Sequence, residues 1–122
     1  MHDPATNFIS GHLTLTSAEF DTHYRPAIDD ALSRGQSFVI GDARGADKMA
    51  QDYLVGKSTS VVVYHMFEEP RNNAGFDTKG GFQSDGERDA QMTLDSDIDI
   101  AWVRAGRETS GTQKNIDRRK PA

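Results

Sequence analysis

The chain has no cysteine. Neither a disulfide framework nor a thiolate metal site is therefore open to it, which fits a reducing compartment. No apolar run approaches the ~20 residues that a membrane-spanning helix needs. The opening Met1-His2-Asp3-Pro4-Ala5-Thr6 lacks the basic and apolar regions of a secretory signal. Basic excess is missing too: the formal net charge is −5. That argues against a nucleic-acid polymer as partner, because a phosphate backbone demands a basic surface. A small nucleotide stays compatible, since a local basic pocket can exist in an acidic protein. These absences predict a soluble, cytoplasmic protein without membrane contact. At 122 residues one domain spanning 1–122 is expected.

What is present centres on Ser37-Phe38-Val39-Ile40-Gly41-Asp42-Ala43-Arg44-Gly45-Ala46-Asp47. A β-prone run enters a turn with glycines four apart, and a helix-favouring run follows. In an open α/β sheet such a junction lies at the carboxyl edge of the strands, where ligands bind. Gly41 and Gly45 are read as residues for a tight turn and for close approach of a ligand to the main chain. The free N–H groups of the following helix suit an anion. Arg44 offers a phosphate partner and Asp47 a hydroxyl acceptor.

Along the rest of the chain, Asn7-Phe8-Ile9-Ser10 reads as the first strand, turning at Ser10-Gly11-His12. Residues His12 to Thr16 either extend it or form a loop over the site. Thr16-Ser17-Ala18-Glu19 matches a capping box, and Phe20, Tyr24, Ile28, Ala31 and Leu32 form one apolar helical face. Pro26 should kink or restart that helix, and Gly35 should cap it. A second helix follows the central turn and ends at Gly56.

Ser60 to His65 has the unbroken β-branched run of a strand covered on both faces. Residues 66–86, rich in Gly, Asn and charge, read as a long functional or mobile loop. Glu87 to Asp95 predicts a helix with Ser84 or Asp85 as cap. Asp97 to Val103 predicts a fourth strand, and Gln113 to Lys120 a basic closing helix behind Ser110-Gly111-Thr112. The alternation predicts a small three-layer Rossmann-like α/β domain with a mainly parallel sheet of about four strands. So small a sheet leaves room for a homo-oligomer that completes an edge.

Strand ends converge in such a fold, bringing Ser10, Gly11, Gly41 to Asp47 and Ser110, Gly111 and Thr112 to one edge. Ser110-Gly111-Thr112, opening a helix, makes a second anion site. Arg88, in the first turn of its helix, could face the same cleft. His12 and His65, at predicted strand ends, could polarise a ligand or move a proton, whereas His2 and His23 read as surface residues. Gly56-Lys57-Ser58 fails as a phosphate loop because Gln51 replaces the leading glycine. Asp95, Asp97 and Asp99 fail as a calcium loop because Ile100 replaces its glycine. No metal and no cofactor is expected.

Gly41-Asp42-Ala43-Arg44-Gly45-Ala46-Asp47, the later Arg88-Asp89-Ala90-Gln91-Met92 and the closing Ser110-Gly111-Thr112 together resemble the SLOG superfamily, particularly its YspA-like branch. The resemblance implies a Rossmann-like fold that binds nucleotides or nucleotide-derived ligands, as sensor, carrier or, in the related LOG phosphoribohydrolases, as an enzyme cleaving the N-glycosidic bond of nucleoside monophosphates. Those hydrolases carry a glutamate three residues after the Gly-Thr threonine, where this chain has Asn115, and an amide neither titrates nor readily attacks a sugar. Binding is therefore the leading expectation, with Ser10, Gly11, Gly41, Arg44, Gly45, Asp47, Arg88, Ser110, Gly111 and Thr112 as ligand residues. The alternative is a nucleotide N-glycosidase or transferase using Asp47, Glu87 or His65. A further alternative is a non-catalytic subunit that binds a protein through the open sheet edge or the charged segment Asp117 to Lys120.

Overall fold

The computed structural model describes residues 4–119. The strands are β1 (Thr6–Ile9), β2 (Ser37–Gly41), β3 (Val61–Met66), β4 (Asp77–Phe82) and β5 (Ile98–Ile100). The helices are α1 (Ser17–His23), α2 (Arg25–Ser33), α3 (Ala46–Leu54), α4 (Asp85–Leu94) and α5 (Gly111–Arg119). All five strands are parallel, in the order β4-β3-β2-β1-β5. This is a small Rossmann-like α/β domain. The chain builds outward from β1 to β4 and then crosses back to lay β5 on the other side of β1. Between β1 and β5 the strand order reverses, and ligands of open α/β sheets bind in the crevice outside such a point.

The period of two along each strand divides the core between the faces of the sheet. Ile9, Phe38, Ile40, Val61 and Ile100 face α1, α2 and α3, which contribute Phe20, Tyr24, Ile28, Ala31, Ala46, Ala50 and Leu54. Phe8, Val39 and Tyr64 face the other way, onto Met92 of α4. The capping box forms, with Thr16 and Glu19 each accepting the other's backbone N–H. The helix restarts at Pro26, since α1 ends at His23 and α2 begins at Arg25 with the proline in its first turn. Gly35 and Gly56 take positive φ just past α2 and α3, as caps do. Residues His12 to Leu15 form a loop, closed by the Leu15 N–H to the His12 carbonyl.

Two expectations are corrected. The sheet has five strands rather than about four, because the expected loop 66–86 contains β4. Asp77-Thr78-Lys79-Gly80-Gly81-Phe82 carries neither alternation nor a β-branched run and is exposed for most of its length; only its ladder with β3 defines it. The strand expected over Asp97 to Val103 stops at Ile100. Beyond it the backbone leaves the ladder: the Trp102 N–H goes to the Tyr24 hydroxyl and the Arg104 N–H to His12 Nε2. Lys120 and His2 lie outside the described residues.

Candidate functional site

A pocket of about 250 Å³ opens at the carboxyl edge of β1 and β2, walled by α4 and the start of α5. It lies over the ends of β1 and β2, beside the point of strand reversal, and no residue of β5 lines it. Of the residues expected to bind ligand, Ser10, Gly11, Gly41, Asp47, Arg88, Ser110, Gly111 and Thr112 line it.

One end brings together the residue after β1 and the start of α5. Ser10 follows β1, is 6 % exposed, and its Oγ has no hydrogen-bond partner among the described residues. Its carbonyl accepts from the hydroxyl of Tyr24 at 2.7 Å, and that oxygen also takes the Trp102 N–H, so one buried phenol fixes the end of β1 against the segment after β5. Burial pushes the Tyr24 hydroxyl up to about 12. Facing Ser10 across the pocket is the start of α5, with Gly111 and the buried Thr112. The Ser110 hydroxyl accepts the Gln113 N–H. Arg107, exposed at the rim, makes no ion pair among the described residues.

The other end holds carboxyl groups around one buried guanidinium. Arg88, 5 % exposed, donates Nη1 to Asp42 at 2.7 Å and both Nε and Nη2 to Asp89 Oδ1. Asp89 Oδ2 accepts from Asn115 Nδ2 at 3.2 Å, joining α4 to α5, while Arg118 donates to the other side of the Asn115 amide. Asp47 is 7 % exposed. Its Oδ2 accepts the Ala43 N–H at 3.2 Å, and its second oxygen has no hydrogen-bond partner among the described residues. Burial pushes this carboxyl up to about 7; Arg88 and the Ala43 N–H work against that rise, and Asp89 and Asp42 reinforce it. Asp42 lies underneath, 1 % exposed. Burial alone would raise it, but hydrogen bonds from Arg71 and the charges of Arg71 and Arg88 more than cancel that and leave it lowered.

Several expectations do not survive. Gly41 keeps an ordinary strand backbone; what it provides is space, because a Cβ there would lie 2.6 Å from Asp47 Oδ2 and 3.1 Å from Arg88 Cζ. Gly45 has φ 75° but is crowded by the carbonyls of His12 and Leu13 rather than open to a ligand. At the start of α3 the His12 carbonyl takes the Ala46 N–H, and in the turn before it the Asp47 carboxyl takes that of Ala43. Arg44 is exposed and outside the pocket. Glu87 turns back to accept the Gln83 N–H. His65 packs against Gly80 of β4, with Nδ1 at 3.0 Å from the Met66 carbonyl, away from the cleft. Of the catalytic candidates Asp47, Glu87 and His65, Asp47 alone lines the pocket.

Arg71, Asp89, Arg107 and Asn115 also line it. Arg71 holds Asp42 through its backbone N–H, Nε and Nη2 and reaches Asp85 at 3.0 Å, which straps the 67–76 loop over the end of β2. His12 lines the pocket too, its pKa lowered by burial and by the charges of Arg104 and Arg107. No group of three or more His, Asp or Glu side chains that could hold a metal ion occurs among the described residues. No family model, no curated protein and no solved structure matches this chain.

Proposed function

We propose that the protein binds a nucleotide or a nucleotide-derived small molecule in this pocket, as a sensor or carrier. The observation that carries the reading is the Ser10 hydroxyl, buried without a partner and facing the first turn of α5. A buried hydroxyl without a partner costs stability, about 1–3 kcal/mol, and a helix start supplies further donors and a positive dipole end. A phosphate between them satisfies both, with Arg107 adding a cation at the rim. The carboxyl end then receives the hydroxyls of a sugar. The resemblance of the three motifs to the SLOG superfamily supports the same ligand class.

Thermal unfolding against mono-, di- and cyclic nucleotides, NAD and ADP-ribose tests it, because a ligand that binds only the folded chain raises the midpoint. A midpoint rise that Ser10→Ala reduces is the expected result. No rise with any of these compounds overturns the proposal.

One observation favours a second reading, an N-glycosidase. Asp47, titrating near neutrality in the pocket, has the character of a general acid. Free base released from a nucleoside monophosphate, and abolished in Asp47→Asn, would establish that activity.

A further inference from the structure

The sheet is open on both sides, and the two open edges are unlike. On one side β5 is only three residues long, and its Asp99 is held by Arg119. On the other, β4 is outermost and exposed from Asp77 to Gly81. An edge strand turns alternate N–H and C=O groups outward, where a further strand can pair with them. Its side chains decide which strand fits.

Side chains alternate between the faces along β4. Asp77 and Lys79 point to the α4 side, where Lys79 Nζ lies 3.1 Å from Asp95 Oδ2 and above the ring of Tyr64. The Asp77 carboxylate has no hydrogen bond or ion pair among the described residues. Phe76, Thr78 and Gly80 point the other way: Phe76 packs against the large core cluster, and the His65 ring lies against Gly80. The ladder is regular only as far as Gly80, because Gly81 takes φ 91° and the register slips before Phe82.

An antiparallel second copy presents the same residues in reverse, and a two-fold axis through Thr78 makes them fit. Thr78 then faces Thr78 of the second copy. Asp77 faces Lys79 and Lys79 faces Asp77, all on one side of the joined sheet, and Phe76 stands across from Gly80, which has no side chain to meet it. Opposite charges directly across antiparallel strands attract, and like charges repel. An axis through Lys79 sets lysine against lysine, one through Asp77 sets aspartate against aspartate, and no other axis within 76–80 keeps both pairs. Lysine on an edge strand ordinarily deters pairing; here the matching carboxylate is two residues away. We propose that β4 is the contact surface for a second copy of this chain, paired antiparallel about Thr78 so that the two sheets become one. The contact is isologous, as a closed dimer requires. No residue of β4 lines the pocket, so the proposal is independent of what the pocket binds.

Sedimentation equilibrium of the full chain should show a reversible monomer–dimer equilibrium. Asp77→Lys sets lysine against lysine at an exposed position and should raise the dimer dissociation constant about tenfold or more. Adding Lys79→Asp exchanges the two charges and should restore the parent's value. Because the chain has no cysteine, a single one introduced reports its own position. Thr78→Cys should cross-link two copies under mild oxidation, since Cβ atoms directly opposed lie about 4.5–5.5 Å apart. Asp77→Cys faces position 79 instead and should cross-link far more slowly. The cross-link does not depend on charge, so it decides the matter should the charge-exchanged chain fold poorly. A dimer indifferent to the charge exchange and to the position of the cysteine overturns the proposal, since the copies then meet elsewhere. A chain that stays monomeric up to about 1 mM overturns it too, and leaves the edge to a strand of another protein.

Discussion

Asp47 carries a cost that its position explains. In an unfolded chain an aspartate titrates near 3.9, whereas in the fold burial pushes this one up to about 7. Between those values the folded state keeps a proton that the unfolded state has released, so stability falls as pH rises through that window and the loss is complete above it. Asp47→Asn should therefore unfold at a higher temperature than the parent at pH 8, by a free energy on the order of a few kcal/mol. The two curves should converge near pH 4. Equal midpoints at pH 8 would mean that the carboxyl is not under this strain. Tyr24→Phe should do the opposite. Losing the hydroxyl strands the Ser10 carbonyl and the Trp102 N–H, at about 1–3 kcal/mol in urea unfolding. Ligand binding should weaken with it, because that hydroxyl holds the Ser10 strand end in place. The sequence made Asp47 readable as a site residue, since it follows the glycine turn by two positions. Its neighbours were not readable, because Arg88 meets Asp42 across 46 residues and no local pattern encodes such a pairing. Arg44 misled for the same reason: adjacency to a turn says nothing about which way a side chain leaves it.

Elements with a repeating apolar pattern or a cap were legible: β2, β3, and the helices begun by Thr16 and Ser84. The ones that were not are held by tertiary bonds. β4 has no pattern of its own, and the loop before it is fixed by polar contacts to Asp42 and Gln51, the latter accepting from Ala74 N–H and donating to the carbonyls of Gly41 and Asn72. Arg71→Ala removes the main strap. Amide hydrogen exchange over 67–82 should speed up in that variant by tenfold or more, while β1 and β2 keep their protection. Uniform acceleration across the sheet would show that the strap supports the whole fold instead. Asp42→Asn should be more damaging, because the buried Asp42 carboxylate is shared by Arg71 and Arg88, although Asp89 still pairs with Arg88 in that variant; a lower midpoint in urea unfolding than that of Arg71→Ala is the expected result.

At the scale of the molecule the two faces of the sheet are unequal. The α1–α3 side buries an extended apolar cluster, and the α4–α5 side a small one, with Asp89–Asn115 and Arg119–Asp99 among its ties. Apolar burial stabilises by roughly 25 cal/mol per Å², so the face that walls the pocket is the weaker one. Exchange in α5 should accordingly outpace that in α2 and α3, and a saturating ligand should slow α5 most. Equal rates would contradict this ranking. The strand order also has a bearing on how the protein is made. β1 pairs on one side with β2 and on the other with β5, and the second partner comes from Ile98–Ile100. During synthesis β1 emerges before β5 and keeps one flank bare until Ile98–Ile100 has left the ribosome. A nascent chain stopped at residue 95 would present that unpaired edge to its neighbours, an open invitation to aggregate. The arrival of β5 is thus a natural point of dependence on chaperones, and a stop codon just before it should yield inclusion bodies rather than a shortened soluble protein.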